Sequence, residues 1–351
     1  MQESSRIDIV RQPAPLPRQS TTKSVYRTRN GAMYCADAAK LLTSRQFRKA
    51  YNGKVQLVFT SPPFPLHDQK KYGNLNGSAY IEWLADFAIP FRDLLTSDGS
   101  IILEIGNSWK PQKPVMSTVV IEALLRFLKE GGFHLCQEFV WYNPAKLPSP
   151  AQWVSVERIR VKDAFTRIWW MSPNERPKAD NRRILREYSN SMKRLISTGR
   201  YNSGVRPSAH RVGQKSFIRD NGGAIPPSVI NGEQAGSLSN FLKAANTRSR
   251  DPYQSFCRDN GVSLHPARMP TELAEFFIKF LAEPNDIVCD PFAGSNTTGD
   301  AAERLGRRWV SCEAVWKFAT TSVSRFTEGT PRRQSDLRHR SSDQQGSSHC
   351  H

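Results

Sequence analysis

The chain has 351 residues, which suits one large domain or a domain carrying a sizeable insertion. Its low mean hydropathy of −0.55 predicts polar tails or long loops, and no run of about 18 apolar residues offers a membrane span. Fifty Lys and Arg against 32 Asp and Glu leave a net charge of +18, which points to a polyanion as partner, because basic side chains that displace condensed counterions supply most non-specific affinity for DNA.

The first residues, Met1 to Lys23, are polar and Pro-rich and lack the apolar core of a secretory signal, so residues 1–25 read as a flexible N-terminal arm. The run Lys54 to Phe59 predicts a strand that must stop at Ser61-Pro62-Pro63, since proline cannot donate to a sheet ladder. Helical spacing follows from Ala79 to Leu95, then a turn at Ser97-Asp98-Gly99 and a strand from Ser100 to Ile105. Val119 to Glu130 predicts a helix closed by Gly131-Gly132, with further strands at Phe133 to Trp141 and Arg167 to Met171.

Beyond Pro173 the texture turns irregular. Residues 176–255 carry 15 Lys and Arg against 5 Asp and Glu, and residues 176–258 are expected to form a loop-rich region for recognising a DNA target. Alternation then returns: a helix at Glu272 to Leu281, a strand at Asp286 to Cys289, a helix at Thr297 to Leu305 and a strand at Arg308 to Cys312. The residues after Pro331 read as a disordered tail. Strand–helix alternation predicts an α/β fold on a parallel sheet covered on both faces, with ligands bound beyond the carboxyl ends of the strands.

Two segments sit at such ends. After Asp290, the turn Pro291-Phe292-Ala293-Gly294-Ser295-Asn296 offers small residues and a helix N-terminus, and the next strand ends in Glu313. Strand, small-residue turn, helix, strand and terminal acid in this span predict a nucleotide-bearing ligand whose ribose the acid holds; an ordinary βα turn is the plain alternative. No Lys follows as in a phosphate-binding loop.

At the other segment, Ser61-Pro62-Pro63-Phe64, the Ser61 hydroxyl and the Pro62 carbonyl can accept both hydrogens of an exocyclic amine on a base. The nitrogen lone pair, otherwise delocalised into the ring, then points at an electrophile; the prolines fix the carbonyl, and Phe64 offers a flat face to the base. A Pro-rich strand exit with a packing Phe is the alternative.

Taken together, the two segments resemble the amino-methyltransferases of DNA, in the permuted order that places the catalytic motif before the cofactor motif. Ser61-Pro62-Pro63-Phe64 resembles the cytosine-N4 branch, and Tyr142 to Pro150, Arg160 to Asp163, Asp220 to Gly223 and His265 to Arg268 extend the similarity toward the modification methylases of type II restriction systems.

The resemblance implies a Rossmann-like S-adenosylmethionine-dependent methyltransferase sheet, with residues 26–175 as its catalytic part and 259–330 as its cofactor-binding part. It assigns Ser61, Pro62, Pro63 and Phe64 to the catalytic loop. Asp290, Phe292, Gly294, Ser295 and Asn296 would cradle S-adenosylmethionine, Glu313 its ribose, Asp37 its adenine amine, and the segment from His265 its methionine end. His265 alternatively caps the turn that follows it. Asn296 replaces a frequent Gly, and Glu104 and Asn107 stand where relatives carry Asp and Gly-rich sequence, so Glu104 is read as a buried acid satisfied by backbone N–H groups.

The implied substrate is double-stranded DNA, with a cognate restriction endonuclease acting on the same site and a cytoplasmic, nucleoid-associated location. Trp141 and Tyr142 are placed either beside the target base or in the core. None of the six cysteines follows Pro, and no C-x-x-C pair occurs, so neither a covalent intermediate nor a metal is expected. Adenine N6 as target, RNA as substrate, and a non-catalytic DNA-binding protein on the same fold remain as alternatives.

Overall fold

The computed structural model describes residues 20–65, 75–143, 145–200, 204–205, 207–209, 211–213, 218–231, 252–266 and 269–326. The expected tail lies outside the described residues, as does the arm before Ser20; Ser20 and Val25 are tied to the strand beside them by Ser20 N–H to Cys35 O (2.7 Å) and Val25 N–H to Met33 O (2.7 Å).

In chain order the elements are β1 (Tyr26–Arg27), β2 (Gly31–Cys35), α1 (Ala38–Thr43), α2 (Arg45–Tyr51), β3 (Val55–Thr60), α3 (Gly77–Ala85), α4 (Ala88–Leu94), β4 (Leu95–Gly106), α5 (Val119–Gly131), β5 (His134–Tyr142) and β6 (Phe165–Ser172). They continue with α6 (Asn190–Thr198), β7 (Gly204–Val205), β8 (Arg211–Val212), β9 (Val229–Asn231), α7 (Pro252–Asp259), α8 (Thr271–Leu281), β10 (Ile287–Asp290), α9 (Thr297–Arg304), β11 (Arg308–Glu313) and α10 (Trp316–Thr321).

Among the described residues the main sheet runs β1-β2-β11-β10-β3-β4-β6-β5-β9. Strands β2, β11, β10, β3 and β4 are mutually parallel. The expected parallel sheet is thus mixed: β6 lies antiparallel to both β4 and β5, and β1 antiparallel to β2. The chain leaves β5 and re-enters β6 at the same edge of the sheet, so the two strands pair antiparallel. β3 is buried along its whole length, as a strand covered on both faces must be. Two apolar clusters flank the sheet, one gathering α1 to α5 and the other α8, α9 and α10.

The long helix expected over Ala79 to Leu95 is two helices. Pro90 would clash with the carbonyl of Asp86 four residues earlier, so the helix breaks at Asp86–Phe87 and restarts with Pro90 in its first turn, where no N–H is needed. The turn expected at Ser97 to Gly99 is an irregularity inside β4: the register to β3 slips between Val55↔Leu95 and Leu57↔Ser100. The Thr96 hydroxyl bridges the slip, donating to Gln56 and Asp98.

Within residues 176–258, α6 and α7 are regular helices, and β9 adds a parallel strand beside β5. Residues 178–183 lie at the amino edge of the sheet. There Lys178 pairs with Asp286 (2.8 Å) and Glu283 (2.9 Å), and Arg183 pairs with Glu283 (3.0 Å).

Candidate active site

The strand order β2-β11-β10-β3-β4 lines up, at one edge, residues that are distant in sequence: Asp37 just past β2, Glu313 ending β11, Asp290 ending β10, Ser61 just past β3, and Glu104 near the end of β4. Neighbouring strands are about 4.8 Å apart, so the row from Asp37 to Ser61 crosses only three such steps. A cavity of about 280 Å³ opens beside this row. Its walls include Asp37, Glu313, His265, Phe292 and the whole stretch Ser61 to Phe64.

Asp290 holds the junction together. Its carboxylate accepts from the hydroxyls of Thr60 (2.7 Å) and Thr298 (2.7 Å) and from the N–H of Phe292 (3.1 Å), tying the end of β3 to the turn after β10 and to α9. Burial pushes its carboxyl up to about 6, against the downward pull of these three donors.

The turn itself is built by backbone constraints. Gly294 has φ +53°, and a Cβ there would lie 3.0 Å from the His265 ring, so a side chain is disfavoured on two grounds. The Gly294 N–H donates to Glu313 (2.9 Å), as does the Val315 N–H (2.8 Å). Burial raises Glu313 to about 7, opposed chiefly by these backbone donors.

Ser295 and Asn296 point elsewhere. Ser295 accepts from Arg325 at both its carbonyl (2.5 Å) and its hydroxyl (2.9 Å), and Asn296 donates to the Tyr26 hydroxyl (2.9 Å). Neither residue is among the walls of the cavity, and nor are Asp290 and Gly294, whose parts are to shape the turn. Asp37 caps α1 by accepting from Lys40 N–H (2.9 Å) while its exposed carboxylate lines the cavity. The His265 ring stands edge-on to Phe318, with ring centroids 4.6 Å apart, and the His265 backbone N–H donates to the Tyr253 hydroxyl.

The loop after β3 is anchored on both sides. The Ser108 hydroxyl donates to the Pro65 carbonyl (2.6 Å), and the Phe64 ring lies so close over Gly106 that a Cβ there would meet it at 2.6 Å. Ser61 is hydrogen-bonded to Glu104, not left to solvent. Burial lifts Glu104 to about 7; the Ser61 bond lowers it, Asp290 raises it and Lys146 lowers it. Glu104 therefore has a side-chain partner in the loop after β3, where sequence reasoning expected backbone N–H groups. The register between β3 and β4, which sets Thr60 beside Leu103 and which no local pattern reveals, decides this.

Sequence reasoning also passed over Tyr80, Trp83 and Phe87, whose rings on α3 and at the helix break line the cavity. Phe292 packs 5.6 Å from Trp83 and 5.2 Å from Phe87. Their helical spacing was visible but is the same for core and for cavity wall. Trp141 is buried in the core, and Tyr142 is exposed at the strand end.

A DNA methylase family model matches residues 55–324, which include both segments of the site and everything between them. The chain belongs to the DNA methylase family. The similarity is carried through nearly the whole length by "Type II methyltransferase M.PvuII" of Proteus hauseri, 42% identical over 308 residues, 87% of this chain and 86% of that protein. Among solved structures, "PvuII DNA methyltransferase (cytosine-N4-specific)" superposes with a TM-score of 0.66 at 32% identity, covering 91% of this chain and 92% of the other. The α/β methyltransferase fold expected from the sequence is therefore the fold of this DNA methylase.

Proposed function

We propose that this DNA methylase transfers a methyl group from S-adenosylmethionine to the N4 amine of a cytosine flipped out of duplex DNA. We also propose that it serves as the modification component of a restriction–modification system. The 42% identity to a type II methyltransferase, and a solved relative named as cytosine-N4-specific, support the choice of substrate. The observation that carries the chemistry is the cavity that gathers Ser61, Pro62, Pro63 and Phe64 with Asp37, Phe292 and Glu313, with Glu104 buried against Ser61.

The cavity fits the cofactor by its donor set. Glu313 and Asp37 offer carboxylates suited to ribose hydroxyls and an adenine amine, the rings of Phe292 and Trp83 offer an apolar wall, and the buried acids Asp290 and Glu104 favour a cation nearby. S-adenosylmethionine supplies an electrophilic methyl group on a sulfonium. The rest falls to the protein. With Glu104 ionised, the Ser61 hydroxyl donates to it and turns its lone pairs toward the amine. Ser61 Oγ and the Pro62 carbonyl accept the two amine hydrogens, localising the nitrogen lone pair. When the methyl passes from sulfur to nitrogen, the amine would shed one proton, which Ser61 would relay to Glu104.

The base must leave the helix to reach this loop, at a few kcal/mol of unstacking and unpairing. Digesting DNA incubated with the protein and cofactor to nucleosides, and weighing them, tests the proposal. N4-methyl-2′-deoxycytidine is expected; N6-methyl-2′-deoxyadenosine, or methylation of transcripts alone, would replace the proposal.

A further inference from the structure

The topology brings two more segments to the edge that carries the cavity. Residues 107–118 leave the end of β4, and residues 143–164 connect β5, which runs parallel to β4, with the start of β6. The second segment is a closed excursion with a clamped neck. Asn143 N–H donates to Ala164 O (2.7 Å), Lys146 pairs with Asp163 (2.9 Å), and Asn107 ties Asp163 back to the end of β4 (2.9 Å). Inside it, the N–H groups of Ile159 and Arg160 both donate to Trp153 O (3.0 and 3.1 Å). The Arg160 side chain donates to Pro114 O (2.8 Å), joining the two segments.

A segment braced in this way ordinarily turns its aliphatic side chains inward. Here they face out: Val161 is 87% exposed, Leu147 79% and Val156 68%. Cations alternate with them through Arg158-Ile159-Arg160-Val161-Lys162, and the neighbouring loop adds exposed Lys110 and Lys113. A lone exposed aliphatic needs no explanation, but several on one braced segment beside a cavity mark a contact surface. Aliphatics set among cations match a partner with phosphates outside and apolar base faces inside. Meanwhile Lys178 and Arg183, which belong to the basic region that composition alone assigns to DNA, are engaged by acids at the opposite edge.

We propose that residues 145–162, buttressed by 109–116, form the surface that grips duplex DNA around the target, with Leu147 and Val161 filling the gap that the extruded cytosine leaves in the base stack. Proteins that open a base step insert apolar side chains in this manner and hold the flanking phosphates with Arg and Lys. The proposal rests on base extrusion as given under Proposed function.

The test uses the full chain and a duplex carrying its methylated sequence, with 2-aminopurine in place of the target cytosine. Wild-type protein should give a fluorescence rise on binding. The Leu147→Ser/Val161→Ser variant should lose most of that rise and turn over more slowly, while binding S-adenosylmethionine as before in calorimetry. Arg158→Ala/Lys162→Ala should keep the fluorescence rise at saturation but bind more weakly, with the slope of log K against log salt reduced by about 0.9 for each phosphate no longer neutralised. Wild-type extrusion and salt slopes in both variants, with unchanged Tm, would overturn the proposal. If wild-type protein leaves no N4-methyl mark on the unmodified duplex, the functional reading fails; if it does and the variants behave as wild type, only the docking surface fails.

Discussion

In the proposed mechanism Ser61 has one hydroxyl and two demands on it, and the protonation of Glu104 decides which it can meet. Ionised, Glu104 takes the Ser61 proton in a hydrogen bond and leaves the oxygen free to accept from the amine; protonated, the carboxyl itself donates to Ser61 and competes for the same lone pairs. With burial holding Glu104 at about 7, kcat should rise with pH through that value. Glu104→Gln should lower kcat by roughly 10²–10⁴-fold and flatten the limb, while Glu104→Asp keeps it. The same shift has a stability signature. The carboxyl binds its proton more tightly in the folded chain, so its contribution is complete below the ordinary value of 4.5 and is lost as pH rises through about 7. The gain in Tm of Glu104→Gln over wild type should therefore grow between pH 5 and 8, and a constant difference would contradict the burial of a titrating acid.

Tyr80 poses a related question without a charge. Its ring lines the cavity, and its buried hydroxyl has no hydrogen-bond partner among the described residues. An unsatisfied buried hydroxyl costs on the order of 1–3 kcal/mol. Tyr80→Phe should raise the Tm of the cofactor-free protein yet weaken S-adenosylmethionine binding, because the bound ligand supplies the missing partner. A lower Tm would mean the hydroxyl is already satisfied. At this scale the position of Ser61 was legible in the sequence, because the two prolines after it must end the strand and leave it at the binding edge. Glu104 and Tyr80 were not: what a side chain faces across β4 or from α3 depends on sheet order, not on its neighbours in sequence.

Among the elements, the β10–turn–α9 unit was the most readable. A strand of Ile287-Val288-Cys289, a small-residue turn and a terminal acid on β11 form a local pattern, and its spans fall within a residue or two of those expected. Gly294→Ala tests its geometry. The left-handed backbone alone should cost about 1 kcal/mol, and the added methyl must displace the His265 ring, so Tm should fall and cofactor affinity with it. Cofactor affinity equal to wild type would show that the turn does not shape the cavity. Elsewhere local pattern misled. Pro90 sits in a helical period that continues across it, and periodicity alone does not see the break. Helix α6 has only a short stripe, Met192, Leu195 and Ile196, set among polar residues and none of it fully buried, so little marked it within an irregular region.

At the scale of the whole molecule, the site exists because parallel pairing sets β3 against β10, joining Thr60 to Asp290 across 230 positions of sequence. The alternating pattern announced the sheet and its binding edge, but not the antiparallel β6 or the side of the sheet on which each basic residue lies. The net charge of +18 is therefore a poor map of where DNA binds until its ion-paired members are set aside. Single-base sequencing, with a readout for N4-methylcytosine, of DNA from a host expressing either wild-type protein or Ser61→Ala tests the central claim most directly. The expected result is N4-methylcytosine at one recurring sequence with wild type and none with the variant, which still binds cofactor. Methylated adenine in its place, or an undiminished mark from Ser61→Ala, would contradict it.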